Sequence, residues 1–143
     1  MKFIKQISIL FLVFVGLTAC TKEELDTNGP TIEITNIPDN KEFKFGENLT
    51  MLIKLKSNYG VYEYQYEIHA KEFAANEFTV PKKHITFEGY FNEKDEVVTI
   101  ILPEKSTTAN FKEGEYVIKV WAGDINGKVT EYTKPIKITY PQE

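Results

Sequence analysis

The sequence predicts an all-β domain, a two-layer antiparallel sandwich of about seven short strands. Three observations predict it. Beyond residue 30, apolar and polar residues alternate with a period of two, and turn residues punctuate these runs at short intervals. No stretch of about ten residues or more carries a helical apolar period.

The elements follow in order. Ile32 and Ile34 alternate in a first strand, and Asn36, Pro38 and Asp39 turn the chain. Phe43 and Phe45 alternate up to a turn at Gly46, Glu47 and Asn48. Leu49, Met51, Ile53 and Leu55 share one face of the next strand, whose other face is polar apart from Leu52. Asn58, Tyr59 and Gly60 read as a turn. Tyr62, Tyr64, Tyr66 and Ile68 then alternate with Glu63, Gln65, Glu67 and His69 in the cleanest two-residue period of the chain.

Residues 71–83, with Phe73, Phe78 and Pro81, read as irregular structure or a single helical turn, and strands resume at His84. Ile85 and Phe87 alternate up to Gly89, residues 97–102 form an apolar, β-branched run that Pro103 stops, and 104–113 form a polar loop carrying Phe111. Tyr116, Ile118, Val120 and Ala122 share one face of the following strand, and Val117, Lys119 and Trp121 share the other. Asn126-Gly127 is a hairpin signal, because both residues tolerate positive φ. The last strand carries Ile136, Ile138 and Tyr140, and Pro135 marks it as an edge strand or a late start.

The N-terminus carries a different signal. Lys2 and Lys5 precede an apolar stretch, residues 7–15, broken only by Ser8, which is the layout of a cleaved secretory signal. That stretch is shorter than the roughly 20 apolar residues a membrane-crossing helix needs. Leu17-Thr18-Ala19-Cys20 follows and resembles the lipobox of bacterial lipoproteins. Ala19 suits the peptidase pocket, and the Cys20 thiol suits attachment of a diacylglycerol before cleavage between the two. Cys20 is the only cysteine, so the fold has no intramolecular disulfide. Lys22-Glu23-Glu24 resembles the surface-export signal of some Gram-negative lipoproteins. The expected organisation is a signal peptide over residues 1–19, a lipidated flexible tether over 20–30, and a sandwich domain over 31–143.

Composition narrows the function classes. The formal net charge is −4, and the signal holds two of the 17 basic residues and none of the 21 acidic ones, so its removal leaves a more acidic chain. Without arginine or a basic run longer than Lys82-Lys83, the chain has no face for nucleic acid. Past the signal, about 120 residues make one domain of a size that buries a sufficient core without disulfides.

The Tyr116 strand has the layout of a tyrosine corner, with Ile118 where antibody domains place a cysteine. Pro30-Thr31-Ile32-Glu33-Ile34, Tyr66-Glu67-Ile68-His69 and the run from Gly114-Glu115-Tyr116 to Asp124-Ile125-Asn126-Gly127 resemble an uncharacterised family of lipid-anchored, Ig-like domains. The resemblance implies an Ig-like antiparallel β-sandwich. Family members tend to follow the histidine matching His69 with further histidines. This chain has Lys71-Glu72-Phe73-Ala74-Ala75-Asn76 there instead.

Candidate chemistry is sparse. His69 and His84 are the only histidines, and even with Glu67 or Glu88 they lack the ligand spacing of a zinc site, so neither a metal nor a cofactor is expected. Asp124-x-Asn126-Gly127 places its glycine wrongly for a calcium loop. Ser57 and Ser106 are the only serines past the signal, and neither sits in a nucleophile motif. No enzyme is expected.

The aromatic residues carry the remaining signal. If Tyr116, Ile118 and Val120 face the core, Trp121 projects outward beside Lys119, and a neighbouring strand presents Glu67 and His69. An indole flanked by hydrogen-bonding side chains is how proteins stack on sugar rings. The alternative is that Trp121 caps a sheet edge beneath Phe73 or Phe78. The expectation is a lipid-anchored envelope module, in the outer membrane and facing outward, that binds carbohydrate through Trp121, Lys119, Glu67 and His69 or else holds an envelope protein by its sheet edges and loops.

Overall fold

A computed structural model describes residues 28–107 and 109–142. The signal, Cys20 and Lys22-Glu23-Glu24 lie outside the described residues. The described chain forms β1 (Thr31–Ile34), β2 (Lys41–Lys44), β3 (Asn48–Ala70), β4 (Val80–Ile101), β5 (Gly114–Asp124) and β6 (Val129–Thr139).

Six elements appear in place of about seven because strands expected to be separate are continuous. Residues 49–55 and 62–68 are the two halves of β3. Leu49, Met51, Ile53, Leu55 and Ser57 are buried at odd positions, whereas Tyr64, Ile68 and Ala70 are buried at even ones. The ladder to β4 shifts register between Lys56 and Val61 and again before Glu63. Such bulges re-aim the side chains and bend the strand without ending it. Gly60, at φ 93°, occupies the bend, so the turn chemistry of 58–60 makes a corner and not a reversal. β4 likewise runs unbroken through Gly89, at φ 131°. It begins at Val80, ahead of the expected His84, because it pairs only with β3 and an edge strand tolerates Pro81.

The corners let each long strand serve both layers. The first half of β3 pairs with β1 (Ile34↔Ile53) and with the second half of β4 (Met51↔Val98). Its second half pairs with β5 (Tyr64↔Ala122) and with the first half of β4 (Tyr64↔Ile85). β6 lies beyond β5, and β2 beyond β6. β1 packs against β5 and β6 without joining their ladders, so the layers face each other as an Ig-like sandwich.

The β2–β6 ladder is parallel, Lys41↔Ile136 to Lys44↔Thr139, which corrects the expectation of purely antiparallel pairing. It also covers Ile136, so the end of β6 is not an edge. Pro135 sits just ahead of that ladder, where its carbonyl accepts the Asn40 amide at 2.9 Å.

Between the layers lie Met51, Ile53, Leu55, Ile68, Ile118, Val120, Ile136 and Ile138, all essentially inaccessible to solvent. One end of the sandwich is closed by Phe45, Phe78, Phe111 and Tyr140, whose rings pack at centroid distances of 4.6–6.2 Å. Phe78 and Phe111 of the irregular loops therefore plug the core. Tyr116 forms the expected corner: its hydroxyl donates to the Lys112 carbonyl at 2.5 Å and accepts the Phe78 amide at 3.2 Å. Burial pushes this phenol's pKa up.

The β5–β6 connection is the expected hairpin. Asp124 is fully buried, and its Oδ1 accepts the amides of Asn126 at 2.9 Å and Lys128 at 3.0 Å. This carboxylate is spent on shaping the turn.

Candidate functional site: the outer face around Trp121

The alternation of β5 decides which way Trp121 points. Tyr116, Ile118, Val120 and Ala122 are buried against the opposite layer, so Val117, Lys119, Trp121 and Gly123 face outward. β3 supplies Glu63, Gln65, Glu67 and His69 to the same face, all half-buried. Register then sets the neighbours. Trp121 stands between Gln65 on β3 and Glu131 on β6, and Lys119 stands between Glu67 and Thr133. His84 of β4 lies across from Gln65, with Lys82 two residues before it on the same face.

The indole is held on two sides. Its Nε1–H donates to Glu131 Oε2 at 2.8 Å, and the ammonium of Lys82 lies 3.8 Å from the ring centroid. Glu131 also stands 4.0 Å from the Lys119 ammonium, so one carboxylate ties the indole to its flanking lysine. Neither Phe73 nor Phe78 covers Trp121. Phe73 is 93% exposed, and Phe78 is buried in the aromatic plug.

All four expected residues, Trp121, Lys119, Glu67 and His69, thus lie on one face of one sheet. Glu67 is directly opposite Lys119, and His69 is 3.7 Å from Glu67, with its Nδ1 2.8 Å from the Ala70 carbonyl. The histidines do not come together. His84 Nε2 is 2.6 Å from Glu63 Oε2, whereas His69 lies further along β3 with its own glutamate. Tyr62 donates to the other Glu63 oxygen at 2.9 Å, and this bond raises its pKa. Gly123 makes room for that carboxylate, since a Cβ there would stand 2.8 Å from Glu63 Oε1. No group of three or more metal-ligating side chains occurs among the described residues.

Lys82, His84 and Glu131 complete the face and were not expected there. The signal for Lys82 and His84 was present in their spacing with Thr86, since all three fall on one side of a strand once β4 is recognised as starting at Val80.

The carboxylates with clearly displaced pKa values lie at the surface, and two of them, Glu93 and Glu115, line clefts beside their lysine partners, away from Trp121. Glu42, Glu93 and Glu115 are exposed, and each is held below the usual carboxylate range by hydrogen bonding to a lysine, Lys44, Lys56 and Lys71 respectively. The displacement is that of a surface ion pair, opposite in sign to that of a buried general acid.

No curated protein matches the sequence. Among solved structures, the chain is similar to the fibronectin(III)-like modules of Clostridium thermocellum CbhA, with 14% identity and a TM-score of 0.49 over 78% of this chain. It spans 47% of the length of that chain. It is also similar to the PKD domain of an M14-like peptidase from Thermoplasmatales archaeon SCGC AB-540-F20, with 14% identity and a TM-score of 0.47, covering 80% of this chain and 98% of that one. A third similarity is to murine CRIg, with 10% identity and a TM-score of 0.43, covering 80% of this chain and 100% of that one. The family model of the domain of unknown function DUF4625 matches residues 18–139, and the chain belongs to that family.

Proposed function

We propose that the protein is a lipid-anchored, non-enzymatic binding module of the cell envelope whose outer sheet face around Trp121 takes a carbohydrate. The observation that carries the binding part is the presentation of the indole. Its plane is fixed by the bond to Glu131, and Gln65, Glu67, Lys119 and His69 on the same face supply donors and acceptors. A sugar ring stacks on such a plane and hydrogen-bonds to the side chains beside it. Lys82 covers one face of the ring, and displacing an exposed lysine costs about 0.5–1 kcal/mol, little against the stacking gained.

The non-enzymatic part is supported by the flat site and by the lysine-held carboxylates at the surface. The anchoring part is supported by Leu17-Thr18-Ala19-Cys20 behind the apolar signal, and the outward orientation in the outer membrane by Lys22-Glu23-Glu24. Labelling cells with a palmitate analogue tests the anchor: the parent is tagged and Cys20→Ala is not. A tag retained in that variant overturns it. Binding is tested by titrating glycans against Trp121 fluorescence, and by calorimetry of the same glycans with the parent and with Trp121→Ala, which has no tryptophan emission to read.

A second reading, contact with an envelope protein, rests on a different observation. Among the described residues β4 pairs with β3 alone, which leaves one edge of a 22-residue strand open, and Val97 and Ile101 are 64% and 75% exposed along it. A partner strand adds to such an edge. Ile136 is excluded as its docking point by the β2 ladder. This reading predicts co-purification that survives Trp121→Ala and weakens with Val97→Lys.

A further inference from the structure

The chain enters the sandwich at the end that carries the corners. Thr31 opens β1 opposite Lys56, next to the bend of β3, and Gly29 lies against the start of β6, where a Cβ would stand 2.5 Å from Thr130 Oγ1 and 3.5 Å from the Lys128 Cβ. The chain leaves β6 at the opposite end, where Thr139 pairs with Lys44 beside the aromatic plug.

Large apolar side chains are exposed at the entry end. Tyr90 is 61% exposed, Ile125 52%, Val129 62% and Phe91 38%. They come from different elements and meet around Gly60. The Ile125 amide donates to the Gly60 carbonyl at 3.1 Å, and the Tyr90 ring lies so close to Gly60 that a Cβ there would stand 2.5 Å from its Cδ2. Phe91 pairs with Val61, the next residue, and Val129 pairs with Gly123 one step from the hairpin. Lys128 adds an exposed cation to that hairpin. Phe91 packs edge-on against Phe87, whereas the core beneath Tyr90, Ile125 and Val129 is already closed by Val61 and Tyr64.

The length of chain ahead of this end says what covers it. Eight residue steps separate Cys20 from Asn28. At about 3.5 Å per residue, fully extended, they hold Asn28 within roughly 30 Å of the lipid. A domain on so short a lead meets the bilayer with the end where the lead attaches. We infer that the tip formed by Tyr90, Ile125 and Val129 seats in the headgroup region of the membrane that carries the anchor, so that the domain stands upright with the Trp121 face along its side. This rests on the lipid-anchor reading of Cys20. Tyrosine and aliphatic side chains partition to that depth, and a neighbouring lysine suits anionic headgroups. The part of the β4 edge at residues 97–101 and the Trp121 face then stay clear of the lipid.

Trp121 is the only tryptophan, so a reporter is simple to place. Full-length chain carrying Trp121→Phe and Ile125→Trp is expressed in a Gram-negative host. It is purified from membranes and reconstituted into vesicles of phosphatidylethanolamine, phosphatidylglycerol and acyl-brominated phosphatidylcholine. Flotation with the vesicles and an about twofold loss of emission relative to unbrominated vesicles are expected, from a side chain seated at the headgroup–acyl boundary. Flotation with unchanged emission overturns the seating and leaves the anchor standing. Failure to float overturns both. Circular dichroism matching the parent certifies the fold, and Val129→Trp in the same background carries the test if Ile125→Trp does not fold.

Discussion

Lys82 Nζ lies 3.8 Å from the centroid of the Trp121 ring, so a charge on the edge strand guards the one tryptophan of the adjacent sheet face. Lys82→Ala removes that cover. Acrylamide quenching of Trp121 rises in the variant, while stability falls by no more than about 1 kcal/mol, the scale of an exposed cation–π contact. Stern–Volmer slopes and urea melts read the two effects separately.

The tyrosine corner carries a larger share of stability. Tyr116→Phe leaves the ring in place but frees the Lys112 carbonyl and the Phe78 amide, both of which the hydroxyl holds. Leaving buried polar groups unpaired costs about 1–3 kcal/mol, measurable as a lower urea midpoint at unchanged slope.

Gly60→Ala is strained twice, by a φ of 93° and by the Tyr90 ring that a Cβ meets at 2.5 Å. The substitution is expected to cost about 1–3 kcal/mol. Removing the ring relieves only the steric part, so the same change in a Tyr90→Ala background is less costly. A double-mutant cycle with zero coupling contradicts the corner geometry.

These residues also mark where the sequence was and was not legible. The inward faces of β5 and of each half of β3 were readable because the two-residue period holds on either side of the bend. What the period cannot say is whether Asn58-Tyr59-Gly60 reverses the chain or turns it through a corner, since a glycine at positive φ serves both. The switch of buried positions from odd to even across that glycine was visible in Leu55 and Tyr64, and it is the mark of a bulge. The parallel β2–β6 ladder had no local signal, because Lys41–Lys44 and the end of β6 lie almost a hundred residues apart in sequence, with their pairing set by tertiary packing. The Trp121 face was legible through Lys119, Glu67 and His69, but Lys82 was hidden in a segment read as irregular on account of Pro81.

Lys134 gives a pH signature. Its stem is buried, and its ammonium meets the exposed Asp39 carboxylate at 2.6 Å, which raises its pKa above the usual lysine value. A raised lysine pKa means that the stabilisation is fully present below the unfolded value of about 10.4 and is lost as pH rises through the higher folded value. The stability advantage of the parent over Lys134→Met is therefore constant near neutral pH and shrinks above about pH 10.4. Paired urea melts across that range show it, and an advantage that persists into stronger alkali is the contrary outcome.

The central claim, that the Trp121 face binds carbohydrate, is tested most directly by titrating the protein with a panel of envelope and dietary glycans while reading Trp121 emission. A saturable shift or quench with at least one glycan, together with loss of that glycan's calorimetric binding signal in Trp121→Ala when circular dichroism is unchanged, is the predicted result. Emission that stays flat across the panel contradicts it.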